Sequence, residues 1–175
     1  MVYIERDIKQ NLLSWKNDVN RKPLIIRGAR QIGKSWAVED FGKTYYEHLA
    51  VFNFDRKREL KDVFEKTKDP ERIIKELSYF TNVPLLPGKT LLFFDEIQEC
   101  KEALNALKYF CEDATEYHII AAGSLLGVAI NEGNYSFPVG KVNFMHMFPV
   151  TFKEYLRSAD NALYNQLLDF IGNTD

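Results

Sequence analysis

Residues 23–35 read PLIIRGARQIGKS, and this stretch decides the fold. The apolar run at 24–27 predicts a short buried β-strand, and residues 34–45 predict a helix. Between them lies a loop that begins at Gly28 and ends at Gly33, where the lack of a side chain permits backbone conformations that other residues avoid. A strand, a tight loop and a helix in this order are expected in a parallel sheet covered by helices.

The loop has the complete spacing G-x-x-x-x-G-K-S, which is typical of a phosphate-binding loop. Its backbone N–H groups are expected to surround phosphate oxygens, and the positive end of the following helix adds to the attraction. We expect Lys34 to reach the β- and γ-phosphates of a nucleotide, and the hydroxyl of Ser35 to ligate Mg²⁺. A turn with a solvated lysine is the alternative, and the flanking strand and helix disfavour it. The predicted nucleotide contacts are Gly28, Ala29, Arg30, Gln31, Ile32, Gly33, Lys34, Ser35 and Trp36.

Two of these contacts have competing interpretations. Arg30 is expected either to touch the nucleotide or a neighbouring subunit, or to brace the loop, and the sequence does not choose between these roles. Trp36 follows Ser35 directly and is a candidate nucleotide contact. Because large aromatic side chains are mostly buried, core packing is the favoured role for Trp36.

The remaining chain alternates short apolar segments with amphipathic ones. An N-terminal helix is predicted from Ile4 to Asp18, and the pair Asp69-Pro70 marks another helix start. The mixed-charge run 55–61 is interpreted as the solvated start of a helix. A capping box begins at Thr151. Further strands are predicted at 49–55, 90–95, 117–123 and 141–147. This alternation indicates an α/β fold, in which ligands bind at the carboxyl ends of the strands.

Composition limits the class of protein. The chain has 175 residues, of which 46% are hydrophobic, so one domain with its own core is expected. A net charge of −2 excludes a strongly basic surface that coats nucleic acid. The two cysteines do not make a disulfide framework, and neither a membrane span nor a signal peptide is recognisable. We therefore expect a cytoplasmic protein without a membrane partner.

Two carboxylates, Asp95 and Glu96, end the predicted strand at 90–95. A solvated strand end is the alternative interpretation, but the phosphate-binding loop earlier in the chain favours a chemical role. Asp95 fits a partner of Mg²⁺ beside Ser35, either as a direct ligand or through another ligand, and Glu96 fits a base that orients and deprotonates an attacking water. Ser124 is a candidate γ-phosphate contact, with an N-cap for segment 125–130 as an equal alternative. The candidate catalytic residues are thus Lys34, Glu96 and Ser124, and the candidate metal ligands are Ser35 and Asp95.

Five segments form a set: GARQIGKS at 28–35, LFFDEIQ at 92–98, AAGSLLG at 121–127, FPVGK at 137–141 and FPVTFKEYL at 148–156. Together they resemble the prokaryotic predicted ATPases of the AAA+ superfamily. The resemblance implies an α/β, three-layer P-loop NTPase sandwich with a five-stranded, mainly parallel sheet in the order 5-1-4-3-2. It also implies ATP and Mg²⁺ as ligands, and places Ser124 between Lys34 and Glu96 as a sensor of the γ-phosphate.

The chain departs from the family pattern in two respects. Lys141 stands where the family usually has arginine, and no arginine lies between Arg72 and Arg157, which argues against a strong arginine finger. Members of the family are also usually longer. We therefore expect an ATPase core with an N-terminal helix at 1–158, and a helical tail at 159–175 that starts a lid or a C-terminal region.

The functional expectation is Mg²⁺-dependent ATP hydrolysis, coupled to a protein partner or to a C-terminal domain. The alternative is a nucleotide-gated switch or scaffold with little turnover. A small-molecule kinase is disfavoured because no arginine-rich lid follows the third strand, and a GTPase because no Asn-Lys-x-Asp run is present. The resemblance makes a homo-oligomer, as a ring or dimer, a further expectation, and a DNA partner stays open without support from the sequence.

Overall fold

The computed structural model describes residues 3–124 and 140–172, with side chains as far as residue 170. Its strands are β1 (Leu24–Arg27), β2 (His48–Asn53), β3 (Thr90–Asp95), β4 (His118–Ala122) and β5 (Asn143–His146). Its helices are α1 (Ile8–Asn17), α2 (Lys34–Tyr45), α3 (Glu59–Lys66), α4 (Pro70–Leu77), α5 (Lys101–Asp113), α6 (Phe152–Ala159) and α7 (Asn161–Gly172). Short 3₁₀ turns occupy Ser78–Phe80 and Ile97–Glu99.

The five strands form one sheet in the order β2-β3-β4-β1-β5, and every pairing is parallel. Counted from the opposite edge, this is the predicted order 5-1-4-3-2, which is confirmed. Only β4 separates the strand before the glycine-bounded loop from the strand that ends in Asp95. The carboxyl ends of these three neighbouring strands therefore meet at one end of the sheet, where ligands bind in folds of this kind.

Helices cover both faces of the sheet, which confirms the three-layer α/β arrangement. On one face, α1 and α2 pack against Leu91 and Phe93 of β3. On the other face, α3, α4 and α5 pack against Leu92 and Phe94 of the same strand. Because successive side chains of a strand point to opposite faces, burial on both sides explains why β3 is apolar almost throughout.

The start of one helix differs from the sequence-based prediction. The N-terminal helix begins at Ile8 rather than Ile4, because Arg6 is buried in contacts with distant segments, and residues 3–6 have no regular secondary structure. The run 55–61, by contrast, is a solvated helix start as interpreted: residues 55–59 are exposed and lead into α3, which buries Leu60, Val63 and Phe64 on its core-facing side.

Three other expectations concern single features. The capping box at Thr151 is present: its hydroxyl accepts a hydrogen bond from the backbone of Glu154, whose carboxylate accepts one from the backbone of Thr151. The alternative role of Ser124, as the N-cap of segment 125–130, lies outside the described residues. Among the helices that the structure describes, none has the length and apolarity needed to pass through a membrane.

Candidate functional site

The loop between β1 and α2 contains three residues with positive φ angles: Gly28 (153°), Gln31 (61°) and Gly33 (88°). A side chain is excluded at Gly28, because its β-carbon would overlap the backbone carbonyl oxygen of Met147. Gly33 directly precedes α2, a helix of 12 residues. The loop therefore lies at the N-terminus of a helix, where backbone N–H groups and the helix dipole favour an anion.

Lys34 is buried at the start of α2 and reaches back across the loop. Its Nζ donates hydrogen bonds to the carbonyl oxygens of Gly28 at 3.0 Å and Ala29 at 2.6 Å. Burial lowers the pKa of the Lys34 ammonium, while the nearby Glu96 and Asp95 carboxylates oppose that shift. The side chain is thus a cation held inside the loop, facing two carboxylates rather than open solvent.

Ser35 and Asp95 bring the loop and β3 together. Ser35 Oγ donates a hydrogen bond to Asp95 Oδ1 at 2.9 Å, and Asn53 Nδ2 donates one to Asp95 Oδ2 at 2.9 Å. Burial raises the pKa of Asp95, and the negative Glu96 adds to the increase, whereas the hydrogen bonds from Ser35 and Asn53 oppose it. A bound cation would stabilise the negative charge of Asp95 against burial and the nearby Glu96. A hydroxyl paired with a carboxylate suits Mg²⁺, which prefers oxygen ligands.

Glu96 stands at the end of β3 in a left-handed conformation, with φ 51° and ψ 45°. This is unusual for a residue with a side chain, and such conformations persist where the surroundings impose them. Here the next residue, Ile97, is buried in the core, so the chain must turn sharply at Glu96. The Glu96 carboxylate accepts a hydrogen bond of 2.5 Å from Nε2 of Gln98.

Ser124 follows β4 and contacts the loop. Its Oγ accepts a hydrogen bond from Nε of Arg30 at 3.2 Å, so the end of β4 is joined to the glycine-bounded loop. Lys141, at the position where the family usually has arginine, forms an ion pair with Glu112 of α5 at 2.8 Å. Lys141 does not line the cavity described next.

Most of these side chains surround one cavity of about 530 Å³, a volume typical of small-molecule sites. Of the residues predicted from the sequence, the cavity is lined by Arg30, Gln31, Gly33, Lys34, Ser35, Trp36, Glu96 and Ser124. Four other predicted residues do not line the cavity: Gly28, Ala29, Ile32 and Asp95. Asp95 is nevertheless hydrogen-bonded to Ser35, which does line it.

Trp36 corrects an expectation. The sequence favoured core packing for it, but 47% of Trp36 is exposed, and its ring lies 5.4 Å from the ring of Tyr3 at the edge of the cavity. Helix α2 buries Ala37, Val38 and Phe41 on its core-facing side instead. Core packing is therefore the wrong interpretation of Trp36, and the side chain is available to a molecule in the cavity.

Sequence reasoning missed several polar residues of the site. Asp55, Gln98 and Glu99 also line the cavity, and Asn53 contacts Asp95 from β2. From the sequence, Asp55 is expected in a structural turn at the start of the solvated run 55–61. The strand order could have indicated Asn53, because this residue pairs directly with Asp95 in the sheet. Polar residues at the carboxyl ends of adjacent parallel strands lie close together.

Comparisons with known proteins agree with this geometry. A model of the AAA domain family matches residues 20–156. Among solved structures, the chain is similar to the Orc1 protein of Aeropyrum pernix in complex with DNA, with a TM-score of 0.52 and 13% sequence identity. That match covers 95% of this chain and 50% of that chain, so this chain spans about half of the length of that relative.

At 13% identity, this likeness shows the fold alone. No match was found among curated proteins. The family model, however, covers most of the chain and includes the loop, the acidic strand end and Ser124. This chain therefore belongs to the AAA domain family, as a P-loop domain of the AAA+ ATPase superfamily.

Proposed function

We propose that this chain binds Mg·ATP in the cavity between the glycine-bounded loop and the end of β3, and hydrolyses it. The observation that carries the proposal is the 2.9 Å hydrogen bond from Ser35 Oγ to Asp95 Oδ1. This hydrogen bond places the hydroxyl of Ser35, at the end of the loop, next to the carboxylate of Asp95, at the end of β3. A Mg²⁺ ion beside bound phosphates requires two such oxygen groups close together. A solvated turn would not require a hydrogen bond between these two side chains.

The side chains of this site have distinct roles in the proposal. Lys34 and the N–H groups of the loop hold the phosphates, and the lysine exchanges its two carbonyl partners for phosphate oxygens, which form stronger charge-assisted bonds. Glu96 accepts a proton from the attacking water. Arg30 and Ser124 contact the γ-phosphate from the side of β4. Mg²⁺, held by Ser35 and Asp95, would neutralise charge on the phosphates.

We further propose that ATP turnover acts on a protein partner, on a second copy of the chain, or on a region beyond residue 158. A nucleotide-gated switch with little turnover is the second candidate, and one observation favours it. Among the lining residues that the structure describes, Arg30 is the only arginine. Since an arginine contact to the reacting phosphate contributes greatly to turnover in related chemistry, a site with a single guanidinium is expected to hydrolyse slowly on its own.

The test measures phosphate release from ATP by the wild type and by Glu96→Gln. If Glu96 is the base, Glu96→Gln loses about 100-fold or more of the turnover while it still binds ATP. Glu99→Gln is the matched control, because Glu99 lines the same cavity but ends the 3₁₀ turn and pairs with Lys61 at 3.9 Å, so its turnover should equal that of the wild type. Equal turnover in wild type and Glu96→Gln would remove Glu96 from the mechanism. Tight binding without turnover in the wild type would favour the switch.

A further inference from the structure

Arg6 connects three segments that are far apart in the sequence. Only 7% of its surface is exposed, and its guanidinium makes three hydrogen bonds. Nη1 donates to the carbonyl oxygen of Ile32 at 2.8 Å, and Nη2 donates to that of Phe148 at 2.6 Å. Nε donates to Oε1 of Glu154 at 3.2 Å. One side chain thus contacts the glycine-bounded loop, the linker after β5 and helix α6.

The linker after β5 also lies directly against the loop. The backbone N–H of Met147 donates to the carbonyl oxygen of Arg27 at 2.8 Å, immediately before the loop begins. Gly28 approaches the Met147 carbonyl so closely that no side chain fits there. At the other end of the loop, a β-carbon on Gly33 would lie 3.6 Å from Nη1 of Arg6. One end of the loop therefore contacts the linker that leads into α6, and the other end lies beside Arg6.

Glu154 completes the connection from the side of α6. Only 4% of its surface is exposed, and besides Arg6 its carboxylate accepts hydrogen bonds from the backbone N–H groups of Asp7 at 2.9 Å and Thr151 at 2.8 Å. Burial alone would raise the pKa of Glu154, but the hydrogen bonds from Thr151, Asp7 and Arg6 hold it below its ordinary value. The carboxylate is thus fully partnered, and removal of Arg6 would leave a buried charge short of one donor.

A second arginine, Arg157 of α6, connects this helix to the N-terminal segment through hydrogen bonds that do not involve the loop. Arg157 Nη1 donates to Oδ1 of Asp7 at 2.8 Å, and Nη2 donates to the carbonyl oxygen of Glu5 at 2.6 Å. Arg157 therefore holds α6 to the N-terminal segment, as Arg6 does, but both of these hydrogen bonds go to that segment and neither goes to the loop. A comparison of variants at Arg6 and Arg157 can therefore distinguish the effect of the contact with the loop from the effect of the docking of α6.

We propose that Arg6 is a positioning residue whose own hydrogen bonds hold the glycine-bounded loop against the linker after β5 and α6, and thereby set nucleotide affinity. The inference rests on the proposed function, because it concerns the loop that would bind the phosphates. Arg6 holds the Ile32 carbonyl in place, so the loop is ordered before the nucleotide arrives. Linkage requires the converse: a nucleotide that orders the loop also strengthens the contacts that Arg6 makes with the linker after β5 and with α6.

The chemistry explains why the residue is arginine. Three acceptors surround the guanidinium, namely two carbonyl oxygens and one carboxylate oxygen. The planar fork of arginine presents separate N–H donors to all of them at once, whereas the lysine ammonium is a compact point charge on a flexible stem. Arg6→Lys is therefore expected to keep the ion pair with Glu154 but to lose the contact with Ile32.

The test compares Arg6→Gln with the matched control Arg157→Gln. Hydrogen exchange of the free proteins is measured first, because it does not depend on nucleotide binding. Amides of residues 29–35 should exchange faster in Arg6→Gln than in the wild type, and at the wild-type rate in Arg157→Gln. The dissociation constant of Mg·ATP should then rise about 10- to 100-fold in Arg6→Gln, as expected for the loss of hydrogen bonds to a charged group, and stay unchanged in Arg157→Gln.

Unchanged loop exchange in a folded Arg6→Gln, or equal effects of both arginine variants, would overturn the inference. If Arg6→Gln does not fold, Arg6→Lys replaces it, and exchange of residues 29–35 at the wild-type rate would likewise overturn it. Failure of the wild type to bind Mg·ATP would instead refute the proposed function, and the exchange rates of the loop would still decide the role of Arg6.

Discussion

The buried histidine of β4 makes the free energy of unfolding depend on pH. His118 is 6% exposed, and its Nδ1 lies 2.7 Å from the hydroxyl oxygen of Tyr46. Burial lowers the pKa of His118 from 6.5 to about 4, and the positive charges of Arg21 and Lys16 add to the decrease. The unfolded chain therefore takes up the proton first as the pH falls, which stabilises the unfolded state.

The sign and size of the effect follow from this difference in pKa. The contribution of His118 is complete above pH 6.5, decreases as the pH falls from about 6.5 to about 4, and is constant below that. Over the whole range the loss is about 3 kcal/mol, of which about 2 kcal/mol falls between pH 7 and pH 5.

Urea unfolding at pH 7 and pH 5 measures this loss. In His118→Gln the difference between the two pH values should be smaller by about 2 kcal/mol than in the wild type. His146→Gln is the matched control, since it removes an exposed histidine from β5 and should keep the wild-type difference. The reasoning would be refuted if His118→Gln and the wild type lost the same free energy of unfolding between pH 7 and pH 5.

Three further predictions concern the core and the site. Phe94→Ala, which removes a fully buried ring, should lower the free energy of unfolding by about 3–5 kcal/mol in urea; a loss under about 1 kcal/mol would contradict the packing described. Gly28→Ala should lower the melting temperature, because its β-carbon overlaps the Met147 carbonyl, and an unchanged melting temperature would argue against that close approach. Ser35→Ala should weaken ATP binding in Mg²⁺ but not in EDTA, and equal weakening in both would deny Ser35 a role with the metal.

Features carried by contiguous residues could be located from the sequence. The loop from Gly28 to Ser35 is recognisable because its glycines and the lysine-serine pair form one local pattern. The strand that ends in Asp95 is recognisable because it is buried on both faces and therefore apolar from Leu91 to Phe94. The strand order, by contrast, came from the family resemblance, because the order of strands in a sheet depends on how distant segments pack and not on any short pattern.

Features carried by distant residues could not be located in this way. Arg6 and Glu154 lie 148 positions apart, so no local pattern relates them, and Glu154 was recognisable only as part of a capping box. The start of α1 was misplaced for the same reason, since contacts of Arg6 with remote segments prevent the helix from extending towards Ile4. Trp36 was misjudged because residue type predicts burial only on average, whereas the orientation of α2 decides it.

The central claim, a nucleotide site built on the glycine-bounded loop, is tested most directly by calorimetric titration of Mg·ATP into the wild type, Lys34→Ala and Lys43→Ala. Lys43 lies on the same helix, but it is exposed and paired with Glu39, so it serves as the matched control. The account predicts saturable binding by the wild type and by Lys43→Ala, and its loss in Lys34→Ala. Binding of equal strength by Lys34→Ala, or no binding by the wild type, would contradict it.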